Sequence, residues 1–483
     1  MKGPAEGAGT GSQWRDRQRR GGTGSQWRDW QRGEVRDVLI YSLLLLNFLH
    51  FRELTDENTF RPMLRVLQRA SREVQSLGSG SDELESWFQL AAECFRCLRN
   101  ACVRCARNQS LIRAAGLIDE TVFLTERLVT TNLLPESGLV ALRCGLQFLG
   151  NAAAGNPDSQ NSIWTRAFPE LFLNCLKSRD DKVSAYGAMV FFTCLSEDKM
   201  PDLQDELDVA LSVITGYQND PEAEWLHLIV TGHLLKCPQL VKAMYLKQTH
   251  QERITMLEII SARFNEQDPV SSEESSSLRQ IGEFISECFQ SQCRAVLKLA
   301  APGEGDDDTE ALVVVRLLDV LCEMTSNNDY LSCLQSQSSL LEGLIDILRL
   351  THLAGKQAKN IFTSVHTATL GSELTHAVVG FKAQLIRMIG NLCYKHKDNQ
   401  EKVYQLDGIP LILDNCSIDD NNPFLNQWTV YAIRNLTENN ERNQELIASM
   451  ERQGLADTSV LKSMGYDVEE RDGKLVLKST RKS

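Results

Sequence analysis

Residues 385–416 read LIRMIGNLCYKHKDNQEKVYQLDGIPLILDNC, and residues 422–440 read NPFLNQWTVYAIRNLTENN. In both stretches an apolar strip with helical spacing ends in an asparagine, and a glutamine follows nine residues later. The same frame occurs four times, in the pairs Asn100 and Gln109, Asn151 and Gln160, Asn391 and Gln400, and Asn435 and Gln444. Because one helical unit of this kind cannot bury its own apolar face, the frame predicts stacked repeats.

The distance between repeats narrows the fold class. The asparagines of the first pair are 51 residues apart and those of the last pair 44, near the forty-odd residues of armadillo and HEAT units. Weaker copies occur at 183–195 and 317–325. The sequence therefore predicts an all-α, right-handed armadillo/HEAT-like α-solenoid. Alternating residues on either side of the Asp472-Gly473 dipeptide add the expectation of a small C-terminal hairpin.

Composition divides the chain into five predicted segments. Residues 1–34 contain a tandem Gly/Arg/Trp duplication and are predicted to form a disordered arm. Residues 35–300 hold the N-terminal repeats, and residues 311–457 hold the C-terminal repeats. Between them, residues 301–310 (APGEGDDDTE) are interpreted as an acidic linker. Residues 458–483 form a tail with the hairpin.

Charge and cysteine content limit the partners. The 483 residues include 51 Lys and Arg against 64 Asp and Glu, a formal charge of -13, which disfavours nucleic-acid and anionic-membrane binding. The 14 scattered cysteines are typical of a reducing, cytoplasmic location. The run VLIYSLLLLNFL at 38–49 is shorter than the roughly 20 residues of a membrane span, so we interpret it as a buried helix rather than a signal anchor. No membrane span is predicted.

Catalytic and metal-site motifs are weak or absent. Cys94, Cys97, Cys102 and Cys105 form a CxxC-x4-CxxC array, but on one helix they would span about 16 Å, too far for one tetrahedral zinc. We therefore predict that these thiols pack as small apolar groups, with a metal or redox site as the alternative. No HExxH, Walker A, Rossmann or nucleophile-elbow motif occurs, so no enzyme activity, cofactor or metal is predicted.

The repeated asparagines are the best candidates for a binding surface. In the armadillo pattern this residue lies on the third helix of a repeat, where its amide can bond an extended peptide. The alternative, left open, is that these asparagines stabilise a turn or bond a neighbouring repeat. Four residues earlier stand Arg96, Gln147, Arg387 and Tyr431, not the tryptophan ladder with which nuclear-import receptors hold basic cargo. The predicted partner groove, expected to prefer an acidic or neutral segment, comprises Asn100, Asn151, Arg387, Asn391, Tyr431 and Asn435.

Residues 93–102 (ECFRCLRNAC), 142–153 (LRCGLQFLGNAA), 315–325 (VRLLDVLCEMT), 385–416 and 422–440 closely resemble the ataxin-10 family. The resemblance covers roughly residues 60–480, is most specific over about 376–480, and is lost in the first 50 residues. It implies a non-enzymatic interaction or scaffold protein that supports neurite outgrowth through Ras and MAP-kinase signalling, neuronal survival and cytokinesis. The alternative function is an armadillo-type transport adaptor for peptide cargo.

The same resemblance implies partners and places. The implied partners are a G-protein β subunit, the O-linked N-acetylglucosamine transferase, mitotic kinases and a second copy of the chain. The implied locations are the cytoplasm, the perinuclear region, the midbody and the centrosome or basal body.

Overall fold

A computed structural model describes most of the predicted repeat region. The described residues are 58–76, 82–131, 133–266, 271–300, 308–357, 378–416, 421–450, 466–471 and 474–479, with Asp56, Phe362 and Asp419. The predicted arm at 1–34 and the apolar run at 38–49 lie outside them. The chain divides into two compact units, Met1–Met244 and Tyr245–Ser483. Because residues 301–307 are also outside the described part, the domain bounds drawn from the sequence stay predictions.

The described part of the first unit is helical throughout. Its α-helices are α1 (Arg61–Ser76), α2 (Asp82–Cys102), α3 (Ala106–Ala114), α4 (Leu117–Thr130), α5 (Glu136–Ala153), α6 (Pro157–Ala167), α7 (Glu170–Leu176), α8 (Asp181–Cys194), α9 (Met200–Asp205), α10 (Leu207–Asn219) and α11 (Glu224–Gly232), and α12 (Pro238–Lys247) crosses the boundary between the units. Short 3-10 turns occupy Glu197–Lys199 and Leu234–Lys236.

Two rows of helices give the first unit its repeat. In one row α2 packs on α5, α5 on α8 and α8 on α11. In the other row α1 packs on α4, α4 on α7 and α7 on α10. The short helices α3 and α6 also pack on each other and join the two rows. The helices thus recur in the predicted armadillo order of a short first helix, a second and a third, as in α3, α4 and α5. We count one repeat from a second helix to the short helix that follows its third helix, as in α4, α5 and α6.

The second unit has the same construction. Its helices are α13 (His250–Asn265), α14 (Ser272–Gln292), α15 (Thr309–Ser326), α16 (Asn328–Gln335), α17 (Ser338–Gln357), α18 (Phe381–Cys393), α19 (Lys397–Gln405), α20 (Gly408–Asp414), α21 (Leu425–Thr437) and α22 (Glu441–Ser449), with a 3-10 segment at Cys293–Ala300. The third helices of this unit are α13, α15, α18 and α21, and each packs on the next. The weaker sequence copy at 317–325 lies within α15, as the frame predicts.

Apolar burial and helix caps explain why these segments fold as they do. Leu385, Ile386 and Ile389 of α18 are fully buried, and each such side chain contributes about 1.5–3 kcal/mol relative to exposure. At Gly390 a Cβ atom would lie 3.0 Å from the Cα of Ala432, so the close contact between α18 and α21 needs a glycine. Asparagine and aspartate side chains begin several helices, as where Asp180 accepts from the Val183 amide at 2.9 Å.

The C-terminal hairpin is present as predicted. Strand β1 (Tyr466–Arg471) pairs antiparallel with β2 (Lys474–Ser479), and Arg471 lies opposite Lys474. The Asp472-Gly473 dipeptide itself lies outside the described residues. With this one small sheet among the described residues, the predicted all-α solenoid class with a terminal hairpin is confirmed.

Candidate partner-binding face and the asparagine network

In the second unit the repeated asparagine and glutamine fasten successive repeats together. Asn435 on α21 donates from Nδ2 to the Gly390 carbonyl of α18 at 2.9 Å. Gln400 of α19 donates from Nε2 to the carbonyls of Asn435 at 2.8 Å and Glu438 at 3.3 Å. Asn435 lies in the last turn of α21 and Glu438 is its C-cap residue, so neither carbonyl has an intrahelical partner. The Gln400 side chain therefore caps the third helix of the following repeat.

The asparagine that caps the next helix completes this network. Asn440 donates from Nδ2 to Oε1 of Gln400 at 3.1 Å, while its own Oδ1 accepts from the Asn443 amide at 3.2 Å. Asn399, beside Gln400, donates to the Leu392 carbonyl of its own repeat at 2.8 Å. All of these side chains are buried. Because buried amides are costly when unpaired, the network requires each member to keep its partner.

The first unit repeats the arrangement with different residues. Asn151 on α5 donates to the Arg99 carbonyl of α2 at 3.2 Å. Gln109 donates to the carbonyls of Asn151 at 2.8 Å and Ala154 at 2.9 Å, and accepts from Asn156 at 3.3 Å. The nine-residue spacing from asparagine to glutamine is thus the signature of a contact between neighbouring repeats.

The other two predicted asparagines differ in their surroundings. Asn391 on α18 donates to Thr325 Oγ1 of α15 at 3.0 Å. Asn100 is half-buried and makes no side-chain hydrogen bond to a described residue. Asn391 and Asn435 are only 4% and 1% exposed, so their amides face the preceding repeat. That any of the four binds a partner stays a prediction.

A second feature is a surface formed by the third helices of the second unit, which are α13, α15, α18 and α21. We call it the third-helix face. At its C-terminal end Arg387 donates to Glu323 at 2.9 Å, joining α18 to α15. The Arg387 guanidinium lies 5.0 Å from the ring centroid of Trp428 on α21, a cation–π distance. Trp428 meets Tyr431 edge to face at 5.7 Å. Arg387 and Tyr431, predicted to share a groove, therefore lie in one cluster.

At the other end the third-helix face is more acidic. Arg316 on α15 bridges Glu258 of α13 at 3.1 Å and Asp319 of its own helix at 3.0 Å. Burial raises the pKa of Asp319, and the hydrogen bond from Arg316 opposes that rise. A cavity of about 210 Å³ opens between the two helices, lined by Leu257, Glu258, Ser261, Ala262, Arg316 and Asp319.

Comparison with known proteins identifies the family. A family model described as the spinocerebellar ataxia type 10 protein domain matches residues 381–478. Ataxin-10 of Xenopus tropicalis is 60% identical over 437 residues, which is 90% of each chain. Ataxin-10 of Homo sapiens is 49% identical over 433 residues, 89% of this chain and 91% of that one. The chain belongs to the ataxin-10 family. Among solved structures, "Crystal structure of Uso1-2" has a TM-score of 0.40 at 12% identity, covering 86% of this chain and 71% of that chain.

The ataxin-10 domain match coincides with the aromatic end of the third-helix face. Residues 381–478 begin at the first residue of α18 and include Arg387, Asn391, Tyr431 and Asn435. The matched region therefore contains four of the six predicted groove residues. Asn100 and Asn151 belong to the first unit.

Two side chains of this ataxin-10 family member that matter to the site were missed in the sequence. The sequence pattern considers the residue four positions before each repeated asparagine, which is Tyr431 for Asn435. Trp428 lies seven residues before Asn435, so the pattern does not point to it. Gln335 lies in the repeat without the asparagine signature, yet it donates to the Leu392 and Tyr394 carbonyls at 3.3 and 2.9 Å. The contact of Gln335 with the following third helix matches those of Gln109 and Gln400.

The cysteine array has a different geometry from the one assumed for a single helix. Helix α2 ends at Cys102, Arg104 adopts φ of 52°, and Cys105 precedes α3, so the premise of one continuous helix is wrong. Cys94, Cys97 and Cys102 are buried, and burial raises the pKa of the Cys94 thiol. Within the described ranges no group of three or more His, Cys, Asp or Glu side chains could hold a metal ion. None of the helices described there is long and apolar enough to cross a membrane.

Proposed function

We propose that this ataxin-10 family member is a non-enzymatic scaffold that binds a partner protein along the third-helix face of its second unit. The observation that carries the proposal is the cluster of Arg387, Trp428 and Tyr431, which joins two third helices at the surface. Arginine and aromatic side chains supply most of the binding energy in protein interfaces. The cluster lies inside the ataxin-10 domain match.

The charges of the face favour a partner segment of nearly neutral character. Arg387 already pairs with Glu323, so a partner carboxylate gains this arginine only by displacing that glutamate. The ion pairs cited for this face combine three acidic groups, Glu258, Asp319 and Glu323, with two basic groups, Arg316 and Arg387. We therefore infer that apolar or aromatic side chains packing on Trp428 and Tyr431 contribute more than ion pairs.

The test is a binding titration with two purified proteins that the family implies, a G-protein β subunit and the O-linked N-acetylglucosamine transferase. Trp428→Ala with Tyr431→Ala should weaken the affinity at least about tenfold, because aromatic anchors are typical hot spots. The matched control is Phe123→Ala, which removes an exposed aromatic ring from α4 in the first unit. Circular dichroism verifies folding. Unchanged affinity in the double variant, or an equal loss in the control, would contradict the proposal.

Family membership is the support for the cellular roles that we propose. We infer support of neurite outgrowth through Ras and MAP-kinase signalling, of neuronal survival and of cytokinesis, in the cytoplasm, near the nucleus and at the midbody and centrosome or basal body. Mitotic kinases and a second copy of the chain complete the inferred partners. Neurite length and the fraction of binucleate cells, measured after replacement of the endogenous protein by the double variant, test these roles. Full rescue by the double variant would show that these cellular roles do not depend on the third-helix face.

A transport adaptor for basic peptide cargo is the second candidate. The observation that favours it is the cavity between α13 and α15, where Glu258 and Asp319 together outnumber Arg316, with which both are paired. A fluorescent Lys/Arg-rich peptide should then bind, and Glu258→Gln with Asp319→Asn should weaken it. Absence of saturable binding of this peptide would eliminate the adaptor function.

A further inference from the structure

We propose that the C-terminal hairpin packs against the outer side of α21 and closes the C-terminal end of the stack of third helices. The outer side is the side of α21 that carries Val430 and Ile433. Val430 lies about 160° around the helix from Ala432, and Ile433 lies about 160° from Asn435. Ala432 and Asn435 both contact Gly390 of α18. The outer side is therefore turned away from α18 and is distinct from the third-helix face.

The preceding repeat shows that the positions of the outer side are normally buried. Adding the 44-residue step between repeats to the bounds of α18 gives 425–437, which are the bounds of α21. At this step Ile386 corresponds to Val430, and Ile386 is fully buried whereas Val430 is 66% exposed. Likewise Ile389 is fully buried, and its counterpart Ile433 is half-buried. The outer side of α21 thus keeps the apolar residues of a contact surface that the other described residues leave uncovered.

The glutamine of the signature indicates the same uncovered end. Gln400 is 2% exposed and donates to the C-terminal end of the third helix that follows it. Its counterpart Gln444 is exposed and donates within its own repeat, to the Thr437 carbonyl at 2.8 Å. Among the described residues no helix follows α22, so Gln444 has no third helix to cap.

The hairpin lies in the chain where the next third helix is expected. The 44-residue step carries the bounds of α21 to 469–481, and strands β1 and β2 lie between 466 and 479. The ataxin-10 domain match, 381–478, begins at α18 and ends in β2, so one family region includes these third helices and the hairpin. The fifteen residues 451–465 can span up to about 50 Å when extended. The length of the chain therefore allows the hairpin to reach the outer side of α21.

The register of the hairpin gives it one apolar and one polar face. Residues directly opposite each other in an antiparallel pair lie on the same face, and alternate residues of a strand return to it. One face therefore holds the positions of Tyr466, Val468, Glu470, Leu475, Leu477 and Ser479. The other face holds those of Asp467, Glu469, Arg471, Lys474, Val476 and Lys478. Because a two-stranded hairpin is only marginally stable alone, the apolar face needs a helix or a further strand to pack on.

The attachment of the hairpin favours it over a separate chain as the occupant. A short flexible connection gives an effective concentration on the order of millimolar, which a second copy or a partner helix at lower concentration does not match. With its apolar face on α21, the hairpin presents its charged face to solvent, as do the capping units that end solenoids. A partner reaches the outer side of α21 only after the hairpin has been released.

The first experiment is photocrosslinking within the full chain. A photoreactive phenylalanine analogue replaces Val430, or Leu353 on α17 as the reference, which is 45% exposed. The expected result is a link from position 430 to a peptide of residues 466–479, found by mass spectrometry in the monomeric product and unaffected by dilution. A link only between two chains, no link to this peptide, or an equal link from position 353 would overturn the proposal.

The second experiment separates the two faces of the hairpin by hydrogen exchange. Leu477→Ser on the apolar face should make the amides of α21 exchange roughly fivefold faster, because the hairpin no longer covers them. The matched control is its neighbour Val476→Ser on the polar face, which should change this exchange less than about twofold. Equal effects of the two substitutions would contradict the proposed face.

A third variant keeps the test valid if serine disrupts the strand itself. Val430→Ser leaves the hairpin sequence intact, and serine and valine have similar helix propensities. This substitution should speed exchange in peptides of residues 466–479 several-fold, because their packing surface is lost. Unchanged exchange in those peptides would overturn the proposal.

Discussion

Replacing Gln400 with alanine tests whether the asparagine and glutamine signature holds the repeats together. Gln400 is 2% exposed, and its Nε2 donates to the Asn435 and Glu438 carbonyls while its Oε1 accepts from Asn440. Alanine leaves two carbonyls at the C-terminal end of α21, those of Asn435 and its C-cap residue Glu438, without this donor. Asn440 keeps a contact with Glu401 at 3.3 Å.

The magnitude follows from the groups left unpaired. A buried polar group that loses its partner costs about 1–3 kcal/mol, and the end of α21 is only partly enclosed. We therefore expect Gln400→Ala to lower the free energy of unfolding of the second unit by about 2–4 kcal/mol. Alanine and glutamine have similar helix propensities, so the backbone contributes little to the difference.

The matched control is Gln444→Ala, at the same position of the last described repeat. Gln444 is exposed and donates to Thr437 of its own repeat at 2.8 Å, so its loss should cost about 0.5 kcal/mol or less. Urea unfolding of the full chain followed by circular dichroism gives the change in stability. Hydrogen exchange of peptides from α21 and α22 locates it. Equal effects of the two substitutions, or a loss below 1 kcal/mol for Gln400→Ala, would refute this account of the signature.

Three further results are expected. Gly390→Ala should lower the free energy of unfolding by about 1–3 kcal/mol, since its Cβ meets the Ala432 backbone, whereas Gly343→Ala, with open space around it, should raise it by up to about 1 kcal/mol in the same urea titration. The hydrogen bond from Arg143 holds the pKa of Asp180 below its ordinary value, so this pair stabilises the fold above about pH 4 and the contribution is lost as pH falls. The stability difference between wild type and Asp180→Asn should thus be largest near pH 7 and vanish in acid; a difference independent of pH would contradict it. A chelator should leave the thermal midpoint unchanged and elemental analysis should find no stoichiometric zinc; a drop of several degrees would show that the cysteines hold metal.

The repeats could be predicted from the sequence because the asparagine and glutamine signature is local to each repeat. The spacing from Asn391 to Gln400 lies within one repeat and can be recognised without a partner. The direction of the Asn435 amide depends on Gly390, 45 residues earlier, and no local pattern reports it. The periodicity therefore identified the stacked helices and left open whether the asparagine faces a ligand or a neighbour.

The contacts of the candidate site could not be predicted either, because they join residues that are far apart in the sequence. The sequence predicts that Arg387 binds carboxylates of a partner, but in the structure it already forms an ion pair with Glu323, 64 residues earlier. The stacking of Arg387 on Trp428 likewise depends on the packing of α18 against α21. By contrast, the hairpin at Asp472-Gly473 was predictable because its signal and its pairing are both local.

Site-specific photocrosslinking tests most directly that the third-helix face binds protein partners. A photoreactive phenylalanine analogue replaces Tyr431 on that face or, as the reference, Phe123 on α4 of the first unit, and each purified protein is irradiated with the G-protein β subunit or the O-linked N-acetylglucosamine transferase. The expected result is a crosslinked product from position 431 that excess unlabelled wild-type chain competes away, and none from position 123. Crosslinking at position 123 alone, or equally at both positions, would contradict the proposed face.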